Sequence, residues 1–461
     1  MELNALKQHL KEIVGEKHVL SSNVDLLLYG YDAYLETSKP DVVVIPENTE
    51  QVSQVIKLAY NERIPVTARG SATSLSGGPV PLKGGIVIHF SRMNRILEID
   101  TLNRRARVEP GVITLDLQTA VAKMGLLYAP DPASQKTSTL GGNIGENSGG
   151  PHCLKYGVTT NHVMGLKMVL YDGEIVDVGG KAPDRPGYDL TGLVVGSEGT
   201  LGIVTEITVR LIEQPEAIKT LLGIFESIED ASNTVSAIIA EGIVPATLEM
   251  MDRLVIKAVE ESVHAGYPQD AEAVLIIELD GLKDGMDTIA DRITEICSAN
   301  GVREVKVAKN EAERNTLWMG RRGAFGAVSR LRPNYMVCDG TVPRTKLPEV
   351  LKKVTEIGRE YNLAIGNVFH AGDGNLHPLI LFDCRDEEET ARVKEAGTKI
   401  LKLCVDAGGT ISGEHGIGLE KLHEMSFIFS PDDIAAMWKF KNAFDPVGQF
   451  NPGKVLPQIV S

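Results

Sequence analysis

The segment Arg69-Gly70-Ser71-Ala72-Thr73-Ser74-Leu75-Ser76-Gly77-Gly78 follows a β-branched run, residues 64–68, that is typical of a strand. A second segment of similar composition is Gly141-Gly142-Asn143-Ile144-Gly145-Glu146-Asn147-Ser148-Gly149-Gly150. Loops this rich in glycine and serine allow backbone N–H groups to close on an anion, because few Cβ atoms interfere. Either segment alone is better explained as a flexible turn. The two together favour a site that binds a pyrophosphate with few basic residues.

Two other nucleotide-binding motifs do not fit the chain. Gly448, Gly453 and Lys454 have Walker-A spacing, but Val455 stands where the motif needs a hydroxyl group for magnesium. No strand-like run is followed by the three-glycine dinucleotide fingerprint. The sequence therefore supports neither an ATP site of the Walker type nor a Rossmann site.

Composition excludes several classes of protein. With 47 basic and 62 acidic residues, the 461-residue chain carries a formal net charge of −15, which argues against binding to nucleic acid or anionic lipid. The five cysteines are scattered, without the spacing of a disulfide framework or an iron-sulfur cluster. Charged residues interrupt the first 15 positions, and no apolar run is long enough to span a membrane. We therefore expect a cytoplasmic protein with no direct membrane insertion.

The pattern of apolar residues indicates two or three domains of α+β class. Strands are expected at residues 41–45 and 64–68, a helix capped by Asn48 between them, and a hairpin around Asp172-Gly173. After a linker at 214–216, strands alternate with longer helices, as in an antiparallel sheet with helices on one face. These elements are strands at 219–225, 246–250, 274–279, 364–370 and 377–382, and helices from about 226 to 241, at 284–298, 311–330, 347–361 and 387–406.

Four motifs together resemble a known family. They are residues 46–52, the loop that begins at Arg69, Thr139-Leu140-Gly141-Gly142-Asn143, and Gly196-Ser197-Glu198-Gly199-Thr200-Leu201-Gly202-Ile203. This combination resembles the FAD domain of the vanillyl-alcohol oxidase and p-cresol methylhydroxylase (PCMH) superfamily. Over nearly its whole length the chain is similar to the FAD-linked D-lactate dehydrogenase and glycolate oxidase catalytic subunits.

The resemblance implies a domain plan. A two-part PCMH-type FAD-binding domain is expected at residues 1–215, and a substrate or cap domain of the FAD-linked oxidase C-terminal type at 216–412. Residues 413–461 are expected to complete the active site and to pack back on the FAD domain.

The resemblance also assigns the cofactor residues. In the family, the first loop wraps the FAD pyrophosphate and other segments line the rest of the cofactor. By that likeness, FAD is bound by Arg69, Gly70, Ser71, Ala72, Thr73, Ser74, Leu75, Ser76, Pro130, Asp131, Thr137, Gly141, Gly142, Gly145, Asn147, Ser148, Glu198, Gly202 and Ile203. Members that attach FAD covalently have a histidine in the first loop, and the comparable residue here is Thr73. Non-covalent FAD is therefore expected.

A second group of residues could hold a metal. His370 and His377 bracket a glycine-containing turn between two strand-like runs, and Glu414-His415 follows another glycine-rich run. A tight turn would bring the two imidazoles together, and the glutamate could complete an open His-His-Glu set. Taken separately, each histidine fits a structural role better than the role of a metal ligand. Related D-2-hydroxy acid dehydrogenases use the three corresponding residues as metal ligands and place the equivalent of His415 near the reacting carbon, which implies one divalent metal, Zn, Fe or Mn.

These residues suit the oxidation of a hydroxy acid. A divalent cation lowers the pKa of the substrate hydroxyl, His415 is placed to act as general base, and Arg321 matches the family's arginine for the substrate carboxylate. Arg322 would point elsewhere on a helix, toward solvent. Relatives that oxidise 2-hydroxyglutarate have lysine and asparagine at the positions aligned with Val337 and Leu379. A small monocarboxylate, D-lactate first and glycolate next, is therefore the expected substrate.

The resemblance also suggests redox partners, and two alternative functions stay open. Catalytic subunits of this kind pass electrons to an iron-sulfur subunit or to an electron transfer flavoprotein, with its alpha and beta subunits, and the latter is preferred here. One alternative function is that of a flavin-dependent transferase without net redox change, similar to alkyl-dihydroxyacetonephosphate synthase. Another is a non-enzymatic protein that binds a metal or a nucleotide.

Overall fold

The computed structural model describes residues 1–182 and 186–458, which form two compact units. The first unit contains residues 1–149, 157–214 and 414–458, and the second contains Gly150–Tyr156 and Pro215–Gly413. The short segment Gly150–Tyr156 thus belongs to the second unit, although the sequence-based domain plan placed it in the first.

The first unit begins with a four-stranded sheet that ends at the glycine-rich loop. Its strands, in spatial order, are Val19–Leu20, Val42–Val44, Ile86–His89 and Val66–Arg69. The helix Thr49–Glu62 connects two of them, and the side chain of Asn48 caps it by accepting a 2.9 Å hydrogen bond from the amide of Gln51. The apolar face expected from the sequence, Val52, Val55, Ile56 and Ala59, is fully buried. The cap and the buried face are thus confirmed.

A five-stranded antiparallel sheet forms the second part of this unit. Its spatial order is Ile96–Asp100, Arg105–Val108, Ile203–Arg210, Val163–Val169 and Ile175–Gly179. Asp172-Gly173 forms the expected turn between the last two, with Gly173 at φ +84°. A two-stranded sheet joins Leu126–Leu127 to Ile212–Glu213.

Helices and the carboxy-terminal segment complete the first unit. Phe450 is fully buried in the same core as Val42 and Ile86 and forms a bridge with Val66. The helices are Leu3–Val14, Asn23–Leu28, Thr49–Glu62, Thr114–Ala122, Leu140–Glu146, Leu190–Val194 and Pro431–Phe444, with 3-10 turns at Glu16–His18, Thr159–Asn161 and Glu424–Phe427.

The second unit is built on an extended antiparallel sheet. Its main strands, in spatial order, are Val302–Val307, Ala217–Phe225, Ala273–Gly281, Thr247–Asp252, Ala364–His370, Asn375–Leu376 and Gly340–Thr341. Pro378–Phe382 pairs with Ala364–His370 and with Asn334–Val337. The α+β class and the antiparallel sheet expected from the sequence are confirmed.

Helices contact this sheet on both faces rather than on the one face expected. Alternate residues of a strand point to opposite faces, and residues of both sets are buried along Ala273–Gly281, so each face needs cover. Arg253–Ser262 and Glu311–Val328 pack on the face of Leu222 and Ile276. The helices of this unit are Cys153–Tyr156, Ile228–Ala240, Arg253–Ser262, Met286–Ala299, Glu311–Val328, Leu347–Glu360 and Glu387–Asp406, with a 3-10 turn at Arg344–Lys346.

Among the described residues, no helix has both the length and the apolar character needed to cross a membrane.

Candidate functional site

Arg69 fixes the start of the glycine-rich loop in the first unit. It is the last residue of the strand Val66–Arg69 and is buried. Its guanidinium donates hydrogen bonds to the carbonyl oxygens of Tyr31, at 2.7 Å, and Leu28, at 3.3 Å, and lies over the rings of Tyr29 and Tyr31. Arg69 therefore anchors a neighbouring segment with its side chain.

The structure brings the two glycine-rich segments together. A Cβ atom added at Gly70 would collide with the hydroxyl oxygen of Thr139, the residue that caps the helix Leu140–Glu146. At the other end of the loop, a Cβ at Gly78 would lie 2.5 Å from a carboxylate oxygen of Glu146. The second segment thus packs directly against the backbone at both ends of the loop, where the glycines leave room for its side chains.

The middle of the loop is accessible while its flanks are buried. Residues 70–75 keep partial or full exposure, whereas Ser76 to Val80 are buried. A ligand can therefore reach the backbone between Gly70 and Leu75. This arrangement fits the pyrophosphate of FAD, which such loops bind through N–H groups.

Three of the residues assigned to FAD have left-handed backbone conformations without being glycine. They are Ala72, Asn147 and Glu198, with φ of +55°, +53° and +50°. Each such residue costs about 1–3 kcal/mol and persists where the surrounding structure imposes it, often at ligand sites. Here the amide of Glu198 donates a 2.9 Å hydrogen bond to the carbonyl of Gly145, which joins the Gly196–Ile203 motif to the second glycine-rich segment.

The remaining residues assigned to FAD lie around these segments. The carbonyl of Pro130 accepts a 3.0 Å hydrogen bond from Gln118, and Asp131 is buried, whereas Thr137 is exposed. Gly202, at φ +157°, leads into the strand that begins with buried Ile203. Gly141 and Gly142 lie in the first turn of the helix Leu140–Glu146, and the carbonyl of Ser148 accepts a hydrogen bond from the hydroxyl of Thr159.

A buried charged cluster behind the loop was not found from the sequence. Lys454 donates to the carbonyl oxygen of Gly78, at 2.6 Å, and to that of Val80, and the carboxylate of Asp32 accepts from the amide of Gly77 at 2.9 Å. Burial lowers the pKa of Lys454 to about 7. Burial, and then the nearby charge of Glu198, raise the pKa of Glu146 well above its usual range, and burial raises that of Glu198 to about 7.

In the second unit, the structure places His370 and His377 side by side. His370 ends the strand Ala364–His370 and pairs with Asn375 across a tight turn. The two imidazole rings are 5.1 Å apart between centroids and nearly perpendicular. Both side chains are buried.

Each of these histidines has a buried carboxylate beside it. Nδ1 of His370 is 2.6 Å from Oε1 of Glu249, and Nε2 of His377 is 3.4 Å from Oδ1 of Asp339. Asp339 also accepts hydrogen bonds from the hydroxyl of Ser412 and the amide of Gly413. Imidazoles oriented by carboxylates are the donor set that divalent transition metals bind, so the residues present fit such an ion.

Neither Glu249 nor Asp339 was singled out from the sequence. Glu249 lies within the buried strand Thr247–Asp252, and a charged residue in an otherwise buried strand is the signal that could have found it. Burial disfavours its charge, but Arg321 and His370 outweigh burial and hold the pKa of Glu249 below its usual value.

Arg321 also contacts Glu249. It is on the buried side of the helix Glu311–Val328, and its Nε donates a 2.6 Å hydrogen bond to Oε2 of Glu249. Arg322 is exposed, with its guanidinium over the ring of Trp318. The two neighbouring arginines therefore point apart, as the sequence indicated.

The other predicted residues are placed as follows. Glu414 and His415 begin the last segment of the first unit, directly after Gly413. Val337 and Leu379 are directly opposite each other on paired strands, and both are buried in an apolar core.

Comparison with known proteins identifies the family. A family model described as FAD linked oxidases, C-terminal domain, matches residues 214–455, and one described as FAD binding domain matches residues 40–179. The chain is 46% identical over 460 residues to the glycolate oxidase subunit GlcD of Escherichia coli (strain K12), covering 99% of this chain and 91% of that protein. It is 34% identical over 467 residues to a D-lactate dehydrogenase of Anaerostipes hadrus, covering 97% and 96%.

Solved structures show the same fold at lower identity. The structure of p-cresol methylhydroxylase with substrate bound matches with a TM-score of 0.84 and 18% identity, over 98% of this chain and 96% of that one. An alkyldihydroxyacetonephosphate synthase matches with a TM-score of 0.79 and 18% identity, over 99% and 86%. The expected PCMH-type fold is thus confirmed. The chain belongs to the family of FAD-linked oxidases and is an FAD-dependent oxidoreductase of the glycolate oxidase and D-lactate dehydrogenase type.

Proposed function

We propose that this enzyme oxidises a small D-2-hydroxy acid to the 2-oxo acid, with D-lactate favoured and glycolate next. The observation that carries the proposal is the contact of one buried carboxylate, Glu249, with both His370 and Arg321. The imidazole assigned to the metal and the guanidinium assigned to the substrate carboxylate thus both contact the same carboxylate. The names of the relatives, glycolate oxidase subunit and D-lactate dehydrogenase, support the same class of substrate.

The chain's own residues take the following roles in this proposal. Arg321 binds the substrate carboxylate, because a guanidinium offers a planar set of donors. His370, His377 and Glu414 hold a divalent metal, Zn, Fe or Mn, and His415 takes the hydroxyl proton. When bound, the cation lowers the pKa of the substrate hydroxyl, and FAD, held without a covalent bond, accepts two electrons.

Two apolar residues favour a substrate with a single carboxylate. Val337 and Leu379, aligned with the lysine and asparagine of relatives that oxidise 2-hydroxyglutarate, are buried hydrocarbon side chains here. They offer no charge or hydrogen bond to a second carboxylate. Lactate and glycolate have only one.

We further propose that the electrons leave to a partner protein. An electron transfer flavoprotein, with its alpha and beta subunits, is preferred, and an iron-sulfur subunit is the alternative. The five cysteines of the chain lack cluster spacing, and the Escherichia coli relative is named a subunit. The purified chain should therefore be reduced by its substrate yet turn over slowly with NAD, and rapid NAD reduction would contradict the partner.

Anaerobic titration of the purified protein with D-lactate, L-lactate, glycolate and D-2-hydroxyglutarate tests the substrate. Bleaching of the flavin band near 450 nm by D-lactate or glycolate is expected. A flavin that none of these acids bleaches would contradict the proposal and favour the non-redox transferase, whose fold this chain shares.

A further inference from the structure

Two glutamates of the second unit lie on one face of its sheet. Thr247 is directly opposite Glu278 on the neighbouring strand, and Glu249 is two residues further along from Thr247. Side chains two residues apart in a strand share a face, so both carboxylates point to the same side. Both are almost completely buried, with 0% and 1% of their surface exposed. The helix Glu311–Val328 supplies residues that contact both of them.

Glu278 holds this helix without contacting a predicted site residue. Its carboxylate accepts two hydrogen bonds from Arg314, at 2.8 and 2.9 Å, one from Nε1 of Trp318, at 2.7 Å, and one from the hydroxyl of Thr220, at 2.7 Å. These partners satisfy a buried charge and attach the helix to the sheet. Nε2 of His152 also lies 3.5 Å from this carboxylate, and Glu278 serves as a comparison for Glu249 because its partners carry none of the predicted metal or substrate roles.

The two carboxylate oxygens of Glu249 contact two different residues. Oε1 is 2.6 Å from Nδ1 of His370, and Oε2 accepts a 2.6 Å hydrogen bond from Nε of Arg321. The hydroxyl of Thr247 is a further, longer donor to Oε1, at 3.2 Å. One side chain therefore fixes the orientation of two residues that the proposed function uses for different tasks.

We propose that Glu249 is a positioning residue that couples metal binding to recognition of the substrate carboxylate, an inference that rests on the proposed function. Accepting a hydrogen bond from the Nδ1–H group of His370 favours the tautomer in which Nε2 carries the lone pair that a metal can bind. The bond to Nε of Arg321 fixes the plane of the guanidinium, so that its Nη donors keep one direction. Loss of the carboxylate should weaken both functions together.

The substitution Glu249→Gln tests this inference, because the amide keeps the size of the side chain but has one acceptor oxygen. His370 and Arg321 face different oxygens of Glu249, so in the variant one of them would face an NH2 group, and the buried guanidinium would lack a neutralising charge. Zinc affinity, measured by competition with a chromophoric chelator on the FAD-loaded protein, should fall about 10–100-fold. The KM for D-lactate should rise in the same variant.

Glu278→Gln is the matched control, since it removes an equally buried charge from the same face under the same helix. It should lower the thermal midpoint while zinc affinity and KM stay at wild-type values. If Glu249→Gln does not fold, Glu249→Asp replaces it with the same expected losses, because the shorter carboxylate cannot reach both partners.

The outcomes separate this inference from the proposed function. Equal zinc affinity in wild type and the Glu249 variant, with only a lower thermal midpoint, would overturn the positioning role alone. A third outcome is possible: the wild type binds zinc, Glu249→Gln binds it more weakly, and no hydroxy acid reduces the wild type. This would support the role of Glu249 in metal binding and contradict the proposed substrate. A wild type that binds no divalent metal would overturn this inference and the metal role in the proposed function, while the flavin titration would still decide the substrate.

Discussion

The backbone amide of Gly418 donates a 2.8 Å hydrogen bond to the carboxylate of Glu198, 220 residues earlier in the chain. Gly418 has φ +51°, and a Cβ atom there would collide with the carbonyl oxygen of Ser76 in the glycine-rich loop. Two of the segments assigned to FAD therefore depend on the absence of a side chain at this position.

Gly418→Ala should destabilise the first unit and weaken FAD retention. The left-handed backbone alone costs an alanine about 1–2 kcal/mol, and the collision with Ser76 adds to that. Gly448→Ala is the control, because Gly448 has φ +65° but open space where a Cβ would go. Thermal melting should show a clearly larger loss for Gly418→Ala, and equal losses would mean that the contact with Ser76 is unimportant.

Glu146→Gln should make stability less sensitive to pH. Burial, and then Glu198, raise the pKa of Glu146 in the folded state, so between pH 4.5 and that raised pKa the folded protein holds a proton that the unfolded chain has released. The stabilising contribution of this group is therefore complete below about pH 4.5 and is lost as pH rises through the folded pKa. Glutamine resembles the protonated form and does not ionise.

The stability of Glu146→Gln relative to wild type should accordingly increase from pH 5 to pH 8 in thermal melts. Glu50→Gln, the same chemical change at an exposed residue, serves as the control. A constant difference between Glu146→Gln and wild type across this range would contradict a raised pKa for Glu146.

FAD should separate from the polypeptide when the protein is precipitated with acid. Thr73, the residue compared with the histidine of covalent relatives, has no imidazole to form a bond to flavin. The absorption spectrum of the supernatant should contain all of the flavin. Yellow colour that stays in the washed pellet would show a covalent attachment.

Arg321→Lys should raise the KM for D-lactate at least tenfold, because one ammonium cannot reproduce both the bond to Glu249 and a two-point contact with a carboxylate. Arg322→Lys makes the same chemical change one residue later, on the exposed side of the helix. Steady-state kinetics should leave its KM unchanged. Equal KM values in both variants would move the substrate carboxylate away from Arg321.

Local features of the fold could be read from the sequence because their causes are local. The Asn48 cap, the Asp172-Gly173 hairpin and the helix Glu387–Asp406 follow from residues within a few positions of each other. The turn between His370 and His377 belongs to the same class, since only six residues separate the two histidines.

Features that depend on distant pairing could not be read in this way. Glu249 reaches His370 only because the strands Thr247–Asp252 and Ala364–His370 are neighbours, and Asp339 reaches His377 for a similar reason. Glu146 and Lys454 influence each other's pKa only after the carboxy-terminal segment has packed on the loop. No local spacing encodes these contacts.

The interleaved course of the chain has a consequence for biosynthesis. Within the first unit, Val66 forms its bridge with Phe450, and the carbonyl of Gly78 accepts hydrogen bonds from Asn451 and Lys454. A ribosome therefore completes residues 215–413, nearly the whole second unit, before it makes the partners that the glycine-rich loop needs. Since compact units fold as their residues become available, the second unit can fold during translation. The first unit must wait for residues 414–458, and stable capture of FAD is accordingly one of the last events in the maturation of the enzyme.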